Sequence, residues 1–305
     1  MKQPDDFYRL IDTGRIENHI RTLEGVRHPR VAPVALERAA DYIAATLNRA
    51  GCEMSEHIFH EEGHPFRNII GTLPGKGQKD ERYILMAHYD TTAEAPGADD
   101  NASGVAVMLE LAAILARAGF ERTIQFVGVA LEENAVAEQH NSGTRGSRAL
   151  AREARASHWP IQEVIVLESV AYAGEDVVQT APAGLPFPVP EAGNFIAMVG
   201  NEHSGAMVEN LATLIASHRF DLPFLPVTVP GNGEVLPDSR RSDHAPFWDE
   251  GYRAVMLTDT TNFRNPHYHC ASDTLDTLNL DFAARVGALT GAYLAGACGL
   301  LDGQQ

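Results

Sequence analysis

The spacing of apolar residues changes several times along the chain, and these changes predict alternating helices and strands. Apolar side chains recur at helical spacing in three segments, which we therefore expect to be helices: residues 33–50, 103–119 and 281–301. The second segment begins beside Asn101 and Ser103, and both have the short polar side chain that caps a helix. Short β-branched and apolar runs predict strands at 55–61, 66–75, 83–90, 123–131, 163–169 and 253–260.

Strands that alternate with helices predict a largely parallel sheet with helices on both faces. The first two strands, SEHIFHE and FRNIIGTLPG, differ because their short connection fits an antiparallel hairpin. We therefore expect an α/β fold: a three-layer α/β/α sandwich with a mostly parallel, mixed central sheet, in a single domain over residues 1–305. The Pro- and Gly-rich segment 174–195 is predicted to be a loop, forming either a lid or pocket wall or a surface excursion.

Four of the five candidate metal-binding residues stand where a predicted strand ends or a helix begins. In α/β sheets the carboxyl ends of the strands form the edge at which ligands bind. Two imidazoles and three carboxylates suit two divalent cations, with one carboxylate shared and positions left for water and substrate. The five residues are His88, Asp100, Glu133, Glu168 and His269.

Two pairs of adjacent acids leave their roles open. On a regular strand Glu132 and Glu133 would point to opposite faces, so both reach one site only if the chain turns there. The pair Asp99 and Asp100 precedes a predicted helix and could simply complement its dipole.

The histidines raise similar questions. Asp90 follows His88 by two residues, and it is either the carboxylate that fixes the imidazole tautomer or a turn residue. His267 and His269 form a pair in which either ring could bind a metal.

Composition narrows the range of partners. A formal net charge of −17 argues against nucleic acid and is compatible with substrates that carry positive charge. No run approaches the roughly 18 apolar residues of a membrane span, and the N-terminal segment has no apolar stretch of signal-peptide length. We therefore expect a cytoplasmic protein with no membrane contact. The three cysteines are widely spaced, which predicts neither a disulfide framework nor a thiolate zinc site.

Several sequence blocks resemble those of one enzyme family. Between about residue 65 and about residue 290 the chain contains, in order, AHYD, PGADDNASG, EEN, ES, SDHAPFWDEGY and NPHYHCASDTLDTL. Their order and intervals resemble those of the zinc-dependent exopeptidases of the M28 (aminopeptidase Y) family. The resemblance implies a phosphorylase/hydrolase-like fold, two zinc ions or other divalent ions, and removal of N-terminal residues from peptide substrates.

The resemblance also implies a role for each candidate residue. The implied ligand triads are Asp100, Glu133 and His269 for one zinc and Asp100, Glu168 and His88 for the other, with Asp100 bridging. Glu132 would be the general base, which takes a proton from a water shared by the two ions. The family pattern selects Asp100 over Asp99 and His269 over His267.

Three more residues lie in matching blocks. Tyr268 stands where some relatives carry a tyrosine that donates to the developing oxyanion, although packing against the loop is the alternative. Asp243 and His244 belong to a block near the active site, and their expected role is substrate-side or structural. The chain departs from the pattern at Glu168, where aspartate is common, and in segment 134–145, which is longer than in simpler members.

We therefore expect an enzyme, a dizinc metallo-exopeptidase, with the exopeptidase activity better supported than its N-terminal direction. One alternative is a glutaminyl-cyclase-like acyltransferase, which shares the fold and keeps one zinc. Another is a metal-stabilised binding protein without catalysis. The complete ligand set favours hydrolysis over the first, and the spare carboxylate of Glu132 argues against the second, since a structural site needs no base. The sequence does not determine the oligomeric state.

Overall fold

One mixed sheet of eight strands forms the centre of the molecule. The computed structural model describes residues 6–135, 142–218 and 220–301. The strands are β1 (Glu53–Glu61), β2 (His64–Leu73), β3 (Gln78–His88), β4 (Arg122–Val129), β5 (Ile161–Glu168), β6 (Ile196–Asn201), β7 (Phe224–Val229) and β8 (Ala254–Thr258). Their order in the sheet is β1-β2-β4-β3-β5-β8-β6-β7.

The four central strands pair in parallel, and an antiparallel pair joins them to the strands on either side. β3 pairs in parallel with β4 and with β5, and β5 pairs in parallel with β8. The predicted hairpin of β1 and β2 is antiparallel, as are the β2–β4 and β6–β8 pairs, whereas β6–β7 is parallel. The carboxyl ends of β3, β4 and β5 therefore lie side by side at one edge.

Helices cover both faces of this sheet. They are α1 (Asp6–Leu10), α2 (Thr13–Leu23), α3 (Pro33–Ala50), α4 (Gly104–Leu115), α5 (Arg145–Ala156), α6 (Gly205–Ser217), α7 (His244–Asp249) and α8 (Leu280–Ala297). Side chains alternate along β3, so Leu85 belongs to the core that this face of the sheet forms with α1 to α4, α6 and α8. Met86 belongs to the core on the opposite face, with α5 and α7. The three-layer α/β/α arrangement predicted from the sequence is confirmed.

Helix α4 is the central helix of the larger layer. Nearly all of its residues are buried, including Glu110, its only charged residue. Arg15 of α2 donates to both carboxylate oxygens of Glu110, at 2.6 and 2.7 Å, so the buried charge is paired and α2 is fixed against α4. Of the two predicted caps, Asn101 is the one whose side chain accepts from the Gly104 amide, at 3.1 Å. The helix ends at Leu115, earlier than predicted.

Buried Arg27 supports the loop that follows β3. Its guanidinium donates to the main-chain oxygens of Tyr89, Pro96 and Gly97 at 2.7, 2.9 and 3.0 Å. These bonds connect one buried side chain to three main-chain oxygens, and they hold the chain between β3 and α4 in place. Over the ranges given above, no helix is both long enough and apolar enough to cross a membrane.

Candidate active site

The predicted metal ligands meet at the carboxyl ends of β3, β4 and β5. His88 and Glu168 are the last residues of β3 and β5. Asp100 lies in an irregular helical turn, Ala98–Ser103, whose backbone is non-helical at this residue and whose next peptide bond is cis. His269 comes from the loop that precedes α8 and has a φ of 59°. One sheet edge thus brings together residues that are far apart in the sequence.

Both adjacent glutamates reach the site because the chain turns after β4. The strand ends at Val129, and Leu131 adopts a left-handed conformation with a φ of 60°. Glu132 Oε2 then lies 3.9 Å from His88 Nε2, while Glu133 Oε2 lies 3.2 Å from His269 Nε2. The turn gives the two carboxylates different neighbours, as a division between base and ligand requires.

The five predicted ligands form two groups that share one residue. Donor atoms within each group lie no more than 4.8 Å apart, and the groups are His88, Asp100 and Glu168, and Asp100, Glu133 and His269. Asp100 Oδ1 lies 3.1 Å from His88 Nε2, and Asp100 Oδ2 lies 3.1 Å from His269 Nε2. Each oxygen of Asp100 therefore faces a different group, which is the geometry of a bridging carboxylate.

Buried polar atoms without hydrogen-bond partners show that these residues fit a pair of metal ions. In the part of the chain that the structure describes, His88 Nε2, Asp100 Oδ1, Glu133 Oε1 and His269 Nε2 are buried and have no hydrogen-bond partner. Buried polar atoms are normally satisfied, and each unsatisfied one needs an explanation. Imidazole nitrogens and carboxylate oxygens are ligands that zinc accepts, so coordination to a cation would satisfy all four atoms.

The electrostatics of the site favour positive charge. Burial raises the pKa of Glu132 well above its usual range, and the neighbouring Glu168 and Glu133 raise it further. The pKa of His269 is raised to about 10, since the attraction of Glu133 and Asp100 outweighs the effect of burial. Carboxylates this close together repel one another, and divalent cations between them would remove that repulsion.

Asp90 positions the turn that carries the two glutamates. Its oxygens accept hydrogen bonds from the backbone amides of Glu132 and Glu133 at 3.0 and 3.1 Å. Asp90 Oδ1 also lies 3.5 Å from His88 Nδ1, which is long for a hydrogen bond. The sequence suggested this aspartate either as a partner of His88 or as a turn residue, and the structure shows that it also supports both glutamates.

Two other aspartates brace the loop around Asp100. Asp99 is fully buried and accepts from the Ala171 amide at 3.1 Å and from Asn265 Nδ2 at 2.8 Å, so it is a loop-bracing residue and is not solvated. Asp273 accepts from the backbone amides of Asp99 and Asp100 at 2.8 and 3.2 Å. Asp273 lies within the recognised block NPHYHCASDTLDTL, but the sequence did not predict this role.

Ser242 is a second contact that the sequence did not reveal. Its hydroxyl donates to Glu168 Oε2 at 2.6 Å and fixes the longer side chain that stands where aspartate is common in the family. Hydrogen bonds of this kind orient metal ligands. The position of Ser242 directly before the recognised Asp243–His244 pair was the only available signal.

Asp243 lies beside the acidic cluster of the site, whereas its neighbour His244 packs away from it. Asp243 is fully buried beside the acidic cluster, and burial raises its pKa to about 7. His244 Nε2 lies 2.7 Å from the Ser239 carbonyl, and its ring makes an edge contact with Trp248. Burial lowers the pKa of His244 to about 4, so this ring is a neutral packing residue.

Tyr268 lies directly against a predicted ligand. Its ring stacks on that of His269 with a centroid distance of 3.8 Å and an interplanar angle of 18°. The Tyr268 hydroxyl accepts a hydrogen bond of 3.1 Å from Arg241 Nη2. The stacking restrains the imidazole, and the hydroxyl is held at the border of the two cavities beside the site.

These cavities differ in polarity. An apolar pocket contains Glu168 in its wall and is otherwise lined largely by hydrophobic side chains, among them Leu185, Phe195, Leu225, Val227, Met256 and Phe263. A polar cleft is lined by His269, by three arginines and by the acidic residues Glu132, Glu133, Asp238 and Asp249. Arg241, Tyr268 and Asp238 line both cavities. Pro182, Leu185 and Val189 of the 174–195 loop contribute to the wall of the apolar pocket.

Comparison with known proteins identifies the family. The model of peptidase family M28 matches residues 68–294. An uncharacterized Escherichia coli protein, YfbL, is 32% identical over 92% of this chain and 87% of its own length. A probable zinc metalloprotease of Leptosphaeria maculans is 26% identical over 74% of this chain, which spans 56% of that longer protein.

Solved structures share the fold at lower identity. The LapA aminopeptidase of Legionella pneumophila is 20% identical, with a TM-score of 0.73 over 98% of this chain and 75% of that one. The glutaminyl cyclase of Porphyromonas gingivalis is also 20% identical, with a TM-score of 0.73 over 94% of this chain and 99% of that one.

The match over most of its length shows that this chain belongs to peptidase family M28. It is an enzyme of the metallopeptidase class, zinc is the indicated metal, and peptides are the indicated substrates. Residues 136–141, within the segment expected to be longer than in simpler members, lie outside the described residues.

The contact between Ser242 and Glu168 gives a testable prediction. Changing Ser242→Ala removes the hydrogen bond that orients Glu168, so we expect the affinity for one zinc ion to fall about 10- to 100-fold. Competition with a chelator of known affinity measures this change. Ser239→Ala is the matched control, because that hydroxyl donates to the Leu236 carbonyl at 2.7 Å and not to a ligand. Equal zinc affinity in the Ser242→Ala variant and the unchanged protein would contradict the assignment.

Proposed function

We propose that this enzyme is a dizinc aminopeptidase that removes N-terminal residues from peptides, with Glu132 as the general base. The observation that carries the proposal is the arrangement of Asp100, whose two oxygens face two separate ligand groups. Glu132 belongs to neither group but lies beside both. An open cleft next to a spare carboxylate is what a catalytic site needs and a closed structural site does not.

The two cations, when bound, would supply Lewis acidity for the scissile carbonyl and lower the pKa of a water molecule towards neutrality. Glu132 takes the proton from the attacking water and delivers it to the leaving amine. Asp90 holds Glu132 in place through its backbone amide. The Tyr268 hydroxyl, which accepts from Arg241, can rotate its own proton towards an oxyanion in the cleft.

The two cavities support a direction of substrate binding. Glu132 lines only the polar cleft, so the amine that it protonates leaves through that cleft. The side chain of the N-terminal residue then occupies the apolar pocket beside Glu168, which favours leucine-like and aromatic residues. A buried acidic centre also attracts the positive charge of a free N-terminus. The name of the LapA relative supports the same direction.

A glutaminyl-cyclase-like acyltransferase is the second candidate, because a named cyclase shares the fold. The retention of both ligand groups favours hydrolysis over a reaction that keeps one zinc. A binding protein without catalysis is less well supported, since Glu132 would have no role in it. Two zinc ions, a single domain over residues 1–305 and a cytoplasmic location stay predictions.

The two adjacent glutamates provide the main test. Changing Glu132→Gln keeps the side-chain shape but removes the proton acceptor, so we expect kcat to fall roughly 10²- to 10⁴-fold with zinc content unchanged. Glu133→Gln is the matched variant and should lower zinc occupancy together with activity. Steady-state kinetics and elemental analysis of both variants measure the contrast. Full activity of the Glu132→Gln variant would exclude Glu132 as the base. Loss of zinc from Glu132→Gln but not from Glu133→Gln would mean that the two residues have exchanged roles.

Blocked peptides test the direction of cleavage. Acetylation of the N-terminus of a leucyl pentapeptide should abolish hydrolysis, because it removes the positive charge and adds bulk at the metal centre. Amidation of the C-terminus of the same pentapeptide should leave hydrolysis of the first bond intact. Mass spectrometry of the products distinguishes the two ends, and release of C-terminal residues from the acetylated peptide would contradict an aminopeptidase.

A further inference from the structure

Arg241 occupies the border between the apolar pocket and the polar cleft. It lines both cavities, as does Tyr268, whose hydroxyl it contacts at 3.1 Å. Tyr268 in turn stacks on the predicted ligand His269. The Arg241 guanidinium is therefore connected to the predicted metal centre through Tyr268 and His269, and it lies where the two cavities meet.

Among the described residues, Arg241 has one recorded acidic partner, Asp238, and this contact is long and involves a single carboxylate oxygen. Its Nη1 donates to the neutral Asn262 at 2.8 Å, and its nearest recorded acidic partner, Asp238, lies at 3.5 Å. Arg240 differs, because its Nη2 lies 2.8 and 2.9 Å from both oxygens of Asp249. Arg240 makes a close contact with both oxygens of its carboxylate, whereas Arg241 has only the long contact to Asp238, has closer contacts to neutral groups and is partly exposed.

The position of Arg241 fits a charge on the residue that follows the scissile bond. The leaving amine lies in the polar cleft beside Glu132, so the residue that carries this amine lies there too. A residue spans about 3.5 Å of chain, which places a carboxyl group of this residue within the same cleft. Guanidinium groups bind carboxylates through two parallel hydrogen bonds, and Arg241 is held ready in the wall.

We propose that Arg241 binds a carboxylate of the residue after the scissile bond and thereby sets a preference among substrates. The carboxylate is either the free C-terminus of a dipeptide or the side chain of an acidic second residue. This inference rests on the proposed aminopeptidase function, because that function defines which cavity receives the leaving residue. It makes Arg241 a specificity-determining residue for short or acidic peptides.

The overall charge of the protein strengthens the need for such a contact. A net charge of −17 repels anions, so a peptide carboxylate approaches this cleft only if a local cation compensates. From the sequence, this net charge was compatible with positively charged substrates. The wall of the cleft contains both signs of charge: Arg148, Arg240 and Arg241 stand beside Glu132, Glu133, Asp238 and Asp249, and Arg240 is paired with Asp249. Arg241 is therefore one of the few cations there that can meet a carboxylate.

Four leucyl substrates distinguish the possible sources of the carboxylate. Leu-Gly is compared with Leu-Gly amide, which tests the C-terminus, and Leu-Asp amide with Leu-Asn amide, which tests the side chain. In at least one of the two pairs, we expect kcat/KM to be about 10- to 100-fold higher for the peptide that carries the carboxylate than for its neutral counterpart. The difference should lie mainly in KM.

Variants of Arg241 test whether that preference belongs to this residue. Arg241→Gln should bring the ratio within the preferred pair to about one, and Arg241→Lys should restore part of it because the charge is kept. Arg148→Gln is the matched control, since it removes a positive charge from the same cleft and should preserve the ratio. If Arg241→Gln lowers kcat/KM equally for both members of each pair, Arg241 acts only through Tyr268 and the proposal is overturned. The proposal is also overturned if Arg148→Gln changes the ratio within the pair as much as Arg241→Gln does.

Binding measurements separate this proposal from the proposed function. Calorimetric titration of the zinc-loaded Glu132→Gln protein with the same four peptides gives affinities that do not depend on turnover. The proposal is supported if the peptide with the carboxylate binds more tightly than its neutral counterpart and if Arg241→Gln, added to this protein, abolishes the difference. This holds even if the unchanged enzyme fails to cleave any leucyl peptide. Equal affinities within both pairs would contradict it.

Discussion

Buried negative charge at one edge of the sheet is the constraint on which the rest of the structure depends. Asp100, Glu132, Glu133 and Glu168 are all buried at the ends of β3, β4 and β5 or in the turn before α4. Isolated buried charges cost several kcal/mol each, so such a cluster is stable only with compensating positive charge. Protonated imidazoles of His88 and His269 can supply it, and divalent cations would supply it when the neutral rings coordinate them.

The surrounding residues hold this cluster in one geometry. Asp90 supports the turn of the two glutamates, Asp273 supports the turn at Asp100, and Ser242 fixes Glu168. Arg27 holds the backbone of the intervening loop. The contacts of Asp90, Asp273 and Ser242 each join a predicted metal ligand or its backbone to a different segment of the chain, so several segments together position the site. Rigid support of this kind lets a ligand set keep the spacing that catalysis requires.

The sequence predicted the centre of the site better than its surroundings. The positions of His88 and Glu168 followed from apolar runs that end in a polar residue, a local pattern that strand burial imposes. Ser242 and Asp273 could not be found in this way, because they lie 74 and 173 residues from the groups they contact and the loop paths decide the pairing. The proposed role of Arg241 could not be predicted either, because it depends on how the two cavities meet in the folded chain.

Anomalous diffraction from crystals of the zinc-loaded protein tests the bridged metal centre most directly. We expect two zinc peaks about 3.5–4 Å apart, with one oxygen of Asp100 directed at each. His88 and Glu168 should coordinate one ion, and Glu133 and His269 the other. A single zinc peak in crystals grown from fully active enzyme would contradict the two-metal centre and favour a one-zinc, cyclase-like site.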